Sequence, residues 1–498
     1  FFHVYPPNQH PSCPPNSPDN NLYISFVSPS PRRLRRLRTI FHHFDLPTME
    51  DLPVIIAGAG PCGMMSALVL QRHGISSIIL ERAGRDKLLA DVGSGYDIQP
   101  TAMKVINYMG LPYPSHFHQY AGIHQLRLDT AATVRILAIK HEIAVLGEGF
   151  EAWSAQRSEL QKMLSQALNS KYSDLRCGCG VKSFEEEEDR VKVELADGST
   201  VMGRALLACD GVKSAVRAQL YKDQGDILQY CGVRTWWGKT EVAEGSHLHQ
   251  LMRESQPLEE GLNFCWYMPA GASKGCFMGA PSCGPEGTKF FWAYSCSDPL
   301  PPGEGEDLTR RGGVVGPEAK DALGPMLEGA CEFARECVAA ALPEHVTMVG
   351  LYDRARLDLP FTSKGGLVAL LGDAAHPQTP FLGQGASSAL VDAFVCCARL
   401  AHSRDVRLAL RAYDSEERRA GMKTMVQEAR KWALISTSDR MFTRFSFRQA
   451  CAWLPLRWII LDMMKQDKTN ADFFLKVTMD FPECGHSSCS EDENEEDD

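Results

Sequence analysis

Three separate stretches of this chain place glycines and an acid at the end of an apolar run. That arrangement lets backbone hold a phosphate or a hydroxyl-bearing chain. The fullest is Gly366 to Leu400, GGLVALLGDAAHPQTPFLGQGASSALVDAFVCCARL. Leu367 to Leu371 reads as a buried strand and Gly372 to Gly385 as a Pro/Gly-rich turn. From Ala386 the pattern is helical, with Ala389, Leu390, Ala393, Phe394, Cys397 and Leu400 along one buried face. Unpaired N–H groups and the positive dipole end at such a helix start point at an anionic or electron-rich group. Gly383 and Gly385 permit close backbone approach, and Asp373 is set to accept hydrogen bonds from ligand hydroxyls. An ordinary strand–turn–helix connection shares the pattern, but two further motifs upstream weigh against it.

The first of these opens the folded pattern. Pro53 to Ala57 is a short apolar strand. Gly58-Ala-Gly60-Pro-Cys-Gly63 follows, then a helix from Met64 to His73, then a strand from Ser77 to Leu80 that ends at Glu81-Arg82. Strand, GxGxxG, helix, strand and acid in this order form a dinucleotide fingerprint. The glycines admit a pyrophosphate, and Glu81 lies where a carboxylate takes the adenosine ribose hydroxyls. The fingerprint alone does not separate FAD from NAD. The other motif is Cys209-Asp210-Gly211-Val-Lys-Ser214-Ala-Val-Arg217, after the buried strand Arg204 to Ala208. Gly93-Ser-Gly95 is a further glycine turn, ahead of a helix with Ala102, Val105, Ile106 and Met109 on one face. Trp153 to Leu168 reads as one helix, and Arg157 shares its buried stripe with Leu160 and Leu164. An arginine there needs an anionic partner, and a cofactor phosphate is the expected one.

These turns need a large core, and 498 residues supply one, with two domains expected. The net charge of −10 comes partly from a terminal acidic run, SEDENEEDD, so no basic surface for nucleic acid is expected. The 17 cysteines are scattered, with no CxxC pair; an odd count without a framework fits a reducing compartment, and the cytoplasm is the expected location. Residues 1–48 are Pro/Asn/Ser-rich, then Arg-rich, and read as a disordered or non-native leader before Met49, with a transit peptide as the other reading. No run of 18 uncharged apolar residues predicts a transmembrane helix.

Between the motifs, Ile123 to Leu128 and Thr133 to Ile139 read as a sheet excursion near 120–146, and Val181 to Phe184 and Val191 to Leu195 as a hairpin. From Gln229 the texture changes to aromatic-rich strands, Val233 to Trp237, Leu262 to Met268, Cys276 to Ala280 and Phe290 to Tyr294, a mostly antiparallel sheet able to line a pocket for a flat apolar ligand. Helix follows over Glu318 to Leu342 and again over Arg404 to Ala433. Phe442 to Met464 mixes aromatics with Arg444, Arg448 and Arg457; core is favoured there over an interfacial membrane face.

Together, GAGPCG with Glu81, CDGVKSAVR and GDAAHPQTPFLGQG resemble the three fingerprints of FAD-dependent aromatic-ring monooxygenases of the para-hydroxybenzoate hydroxylase and salicylate hydroxylase type. The likeness covers roughly Leu52 to Met425. It implies an α/β fold: a Rossmann-like FAD-binding domain, a mostly antiparallel substrate domain and C-terminal helices. The corresponding division is 52–228 and 346–405 for FAD, 229–345 for substrate, 406–482 for the C-terminal helices and 483–498 for a disordered acidic tail. By resemblance, Gly58, Gly60 and Gly63 hold the FAD pyrophosphate, Glu81, with Arg82 beside it, takes the adenosine ribose, and Gly95 and Arg157 contact FAD. Asp210 and Gly211 match the motif serving both FAD and NAD(P)H. Asp373 takes the ribityl chain, Pro380 shapes the oxygen site, and Gly383, Gln384, Gly385 and Ala386 face the flavin ring. The implied reaction uses NAD(P)H to reduce FAD, then O2 to hydroxylate or epoxidise an aromatic, polycyclic or isoprenoid small molecule. Arg234 and Tyr230 are the catalytic candidates, with His376 a further one. Many relatives have an arginine before the glycine in the strand entering the substrate domain; this chain reads Arg234-Thr-Trp236-Trp237-Gly238 there, which leaves substrate choice open. An FAD-dependent oxidase, or a redox-sensing flavin-binding protein without turnover, is the alternative.

Overall fold

A computed structural model describes residues 52–480, apart from 91–94, 114–116, 147, 225–226, 259–260, 285–286, 299–312, 355, 441–442, 444–445, 447–448 and 450–455. The expectations for the leader, the acidic tail and most of Phe442 to Met464 fall on or beside the residues outside this set. Short strands of three to five residues, apolar in the three central ones, settle as a five-stranded parallel sheet. Val54–Ala57 is its centre, with Ala205–Ala208 and then Val368–Leu370 on one side, and Ser77–Glu81 and then Ser173–Cys177 on the other. Val54 pairs with Ala205 and with Ser77, so the ends of these strands, each carrying a glycine or acid, come to one edge. Ligands bind at that carboxyl edge in open α/β sheets.

Helix Gly385–His402 is buried at every position from Ser387 to Ala398, rather than on the single expected face. Its neighbours explain this. Pro61–Arg72, Pro100–Tyr108, Val406–Tyr413 and Leu456–Asp480 all pack on it. A helix buried on every side is one that the core surrounds.

The second sheet runs Val314–Val315, Thr347–Arg354, Leu228–Val242, Gly287–Ser297, Cys276–Gly284, Leu262–Met268, His118–Arg127, Trp153–Gln156 and Gly95–Ile98, with Thr133–Ala138 beside His118–Arg127. Its pairs are antiparallel except that of Leu262–Met268 with His118–Arg127, which is parallel. Strand alternation gives it two unlike faces. Trp236, Phe277, Phe290, Trp292 and Tyr294 form a core with Phe333, Cys337 and other residues of the helices around Pro317–Leu323 and Glu332–Ala340. The opposite face carries Val233, Trp237, Phe264 and Trp266. There Trp237 and Phe381 of the glycine-rich turn pack against one cluster of Cys231, Val233, Leu351 and Ala433, and Trp266 lies 6.0 Å from Trp432 of helix Glu416–Thr437.

The predicted helix Trp153 to Leu168 divides. Trp153–Gln156 is a strand paired with Gly95–Ile98, and the helix is Arg157–Gln166. Arg157 is therefore the first helical residue, half-buried, and not part of an inward stripe. Four residues that pair only with strands distant in sequence carry no local signal of it.

Helix Leu456–Asp480 is fastened to Pro100–Tyr108 by one buried acid. Asp467 accepts from Thr101 N at 3.2 Å and Thr101 Oγ1 at 2.9 Å. Burial pushes its carboxyl from 3.8 up to about 6, with Thr101 opposing. The folded state then holds more protons than the unfolded state between those values, so this group's contribution falls as pH rises through 6. Asp467→Asn keeps an acceptor for Thr101 and removes the charge. Relative to wild type it is expected to gain up to about 2–3 kcal/mol on going from pH 4 to pH 8, read from urea unfolding at both pH values.

Candidate functional site

The first turn is built by backbone crowding. Gly58 has φ +96°, and a Cβ there would sit 2.5 Å from the carbonyl oxygen of Cys209. The turn therefore presses against the strand end that bears Asp210. Helix Pro61–Arg72 starts at Gly60 with no side-chain cap, leaving its positive end to the cleft. Glu81 steadies the same turn: its two carboxylate oxygens accept from Ala59 N and Ala83 N, each at 2.8 Å. Each oxygen keeps further acceptor capacity for a sugar hydroxyl. Arg82 beside it is exposed.

Asp210 is held by helix Ala215–Leu220. Its Oδ2 accepts from Ala215 N at 2.9 Å, while its Oδ1 is buried with no donor among the described residues. Burial raises this carboxyl above its ordinary range. Gly211 follows at φ +78°. Arg217, fully buried, donates to the carbonyls of Asp373 and Ala374 at 3.0 Å each. It ties the second motif to the third, a role that sequence alone did not suggest.

In the third motif Asp373 is exposed, yet the bulk of the protein surrounds it closely enough to raise its carboxyl, with His376 and Arg217 opposing. That combination places it in an open cleft. Tyr96 bridges this region to the second sheet: its hydroxyl is hydrogen-bonded with Arg157, and Asp373 is close enough to act on it electrostatically. Arg157 and Asp373 thus share one neighbour, and Gly95 directly precedes it. Pro380–Leu382 forms a short 3-10 turn, with Pro380 exposed, and leads to Gly383 at φ +60°. Gln384 is buried before the uncapped start of Gly385–His402, where Ala386 is half-exposed.

A buried ionic network fixes this turn from behind. Asp392 Oδ2 accepts from Gly372 N at 2.9 Å and bonds to His376 Nε2 at 2.6 Å. Asp392 Oδ1 accepts from Arg418 at 2.6 Å. Arg418 also donates to Asn470 Oδ1 at 3.0 Å, and Asn470 donates to Gln384 Oε1 at 3.3 Å. Burial acts to raise the Asp392 carboxyl, but Arg418 and His376 outweigh it and hold it well below the usual carboxylate range. His376 is locked in this network and positions the loop.

The catalytic candidates Arg234 and Tyr230 lie elsewhere. Arg234 pairs across the sheet with Cys296 and shares the helix-covered face with Trp236; its Nε donates to Asp298 at 2.6 Å. The Tyr230 ring lies 5.3 Å from that of Tyr352, tilted by 55°, Asp298 and Arg234 act on it electrostatically, and its hydroxyl is buried with no partner among the described residues. The register slips between these two residues, around Gly232 at φ +73°. This bulge reorients the strand, and Arg234 faces away from the flavin-side turns. The residues of that strand on the cleft side are Val233 and Trp237.

The three turns fit FAD. The first offers an uncapped helix start, Asp210 an unsatisfied buried acceptor, and Asp373 a carboxylate in an open cleft. Such a site on a parallel sheet with a second, aromatic-lined sheet defines an FAD-binding α/β flavoprotein. The family described as FAD binding domain matches residues 51–259. An aurachin C monooxygenase/isomerase from Stigmatella aurantiaca is 27% identical over 368 residues, covering 73% of this chain and 84% of that protein. A 3-amino-4-hydroxybenzoate 2-monooxygenase from Streptomyces cremeus is 27% identical over 350 residues, covering 69% and 77%. The crystal structure of Klebsiella pneumoniae HpxO complexed with FAD and uric acid aligns with a TM-score of 0.65 at 21% identity, covering 84% of this chain and 97% of that one. Residues 51–259 thus match an FAD binding domain, and the chain is similar to monooxygenases over most of its length. Among the described residues no helix is long and apolar enough to cross a membrane, and no cluster of His, Cys, Asp and Glu could hold a metal.

Proposed function

We propose that this chain uses NADH or NADPH and O2 to hydroxylate or epoxidise a flat, largely apolar aromatic, polycyclic or isoprenoid molecule. The observation that carries this reading is the meeting of the glycine-rich turn with the second sheet, where Phe381 and Trp237 pack against one apolar cluster of Cys231, Val233, Leu351 and Ala433. Bound FAD supplies the redox and oxygen chemistry. Glu81, Asp210 and Asp373 take its hydroxyls and polar chain, Arg157 meets its phosphates, and the turns at Gly58–Gly63 and Gly383–Ala386 receive its pyrophosphate and ring. Trp237, Trp266 and Trp432 orient the substrate by ring contact and keep water from it. The assignment of 229–345 to substrate and of 52–228 with 346–405 to FAD is supported by the separation of the apolar cores under the two sheets. A cytoplasmic setting is supported by the twelve free thiols among the described cysteines.

Purified protein is expected to carry FAD and to oxidise NADH or NADPH under air, faster when an aromatic substrate is added. The absorption spectrum and the loss of nicotinamide absorbance read both. Bound FAD inert to both nucleotides, with a panel of phenols, quinolines and isoprenoids present, would overturn the reading in favour of an oxidase or a flavoprotein without turnover.

A further inference from the structure

The strand Gly95–Ile98 carries an acid that none of the three motifs includes. Asp97 Oδ1 accepts from Tyr120 Oη at 2.5 Å. The other carboxylate oxygen, Oδ2, lies against the glycine-rich turn, where a Cβ on Gly383 would come within 2.6 Å of it. Gly383 adopts φ +60°, so glycine is favoured there both by conformation and by the space the acid takes. The backbone around the pair is pinned as well. Ser387 Oγ, in the first turn of helix Gly385–His402, accepts from Gln99 N at 2.9 Å and donates to Asp97 O at 3.4 Å. Asp97 pairs across the sheet with Ser154, whose hydroxyl also bonds to Tyr120. The Tyr120 ring packs edge-on at 6.3 Å on Phe264, on the aromatic face. An acid thus stands at the junction of the flavin turn and the substrate-side sheet, and among the described residues no cation is paired with it.

We propose that the Asp97 carboxyl, clasped by Tyr120, is an ionisable positioning group that sets the electron affinity of FAD bound against the Gly383 turn. The proposal rests on the FAD reading of the site. A carboxylate at this turn opposes the negative charge that a flavin gains on reduction, while a neutral acid does not. Burial raises the Asp97 carboxyl and the bond from Tyr120 lowers it. The other titratable groups nearby are Cys265, which acts on Tyr120 from the adjacent strand, and His118, the backbone partner of Ser154. Arg157 and Asp373 act on Tyr96 instead.

The test is the midpoint potential of the FAD-bound protein from pH 5 to 9, for wild type, Asp97→Asn and Tyr120→Phe. Asp97→Asn is expected to favour reduction at high pH by about tenfold in the equilibrium constant and to converge on wild type at low pH. Tyr120→Phe, which removes the donor to the carboxylate, should move that convergence to higher pH. Asp97→Asn with FAD bound and a wild-type potential at every pH would overturn the proposal. So would folded variants that both fail to hold FAD, since the pair would then only brace the turn. Wild type without FAD is a different failure: it removes the cofactor reading, and this proposal with it.

Discussion

Gly63→Ala is expected to strip FAD from the protein by breaking the turn itself, with binding weakened roughly 100-fold or more. A Cβ at position 63 would lie 1.9 Å from the carbonyl oxygen of Gly58, a contact with backbone that no side-chain rotation relieves. The first helix would have to retreat from the strand end, and the geometry of the pyrophosphate cradle would go with it. Gly60→Ala is the informative partner. A Cβ there meets no protein atom within 4 Å, and Gly60 has φ −70°, open to alanine. Its methyl group would project into space kept for ligand. The two variants should therefore separate: Gly63→Ala loses both thermal stability and FAD, whereas Gly60→Ala keeps its urea midpoint and loses FAD affinity alone. Fluorescence titration of the apoprotein with FAD, beside urea unfolding, checks both. Wild-type FAD affinity in Gly63→Ala would contradict the described turn.

Asp392→Ala is expected to destabilise the protein by about 3–5 kcal/mol, because it leaves the Arg418 guanidinium buried without its counter-charge. Asp392 and Arg418 are both without side-chain exposure. The same change removes the acceptor for Gly372 N and for His376, so the turn bearing Asp373 also loosens. Weaker FAD binding should accompany the lost stability. The double variant Asp392→Leu with Arg418→Met removes both charges and should recover much of the stability, since an apolar pair can replace a buried ion pair. It should not recover FAD affinity, because Gly372 N still lacks its acceptor. Urea midpoints of the single and double variants, with FAD titrations, distinguish the two roles. Equal stability of Asp392→Ala and wild type would contradict the buried pairing.

These predictions show which parts of the molecule were legible in the sequence. The strand–turn–helix units were, because each is local: Val54–Ala57 with GAGPCG, Ala205–Ala208 with Asp210, and Val368–Leu370 with Asp373 lie within about a dozen residues of their own signals. The aromatic strands from Leu228 onward were legible for the same reason. Relations across the chain were not. Trp153–Gln156 is a strand because Gly95–Ile98 and His118–Arg127 pair with it on either side. Arg234 turns from the cleft because a bulge interrupts an alternation that otherwise reads cleanly. Arg418 and Asn470 reach Asp392 and Gln384 across 26 and 86 residues of sequence, from helices whose sequence carries no sign of those partners. Asp97 and Tyr120 are 23 residues apart and were passed over, although an acid two residues after Gly95 was a signal that could have been used.

The central claim is that oxygen from O2 ends in the product of this chain. The direct measurement is mass spectrometry of product formed by the FAD-bound protein with NADH or NADPH under isotopically labelled O2. One labelled oxygen atom in the product, with label in water absent from it when the isotopes are reversed, is the predicted result. A product that carries oxygen only from water, or nucleotide oxidation that yields hydrogen peroxide and unmodified substrate for every candidate compound, would contradict the account.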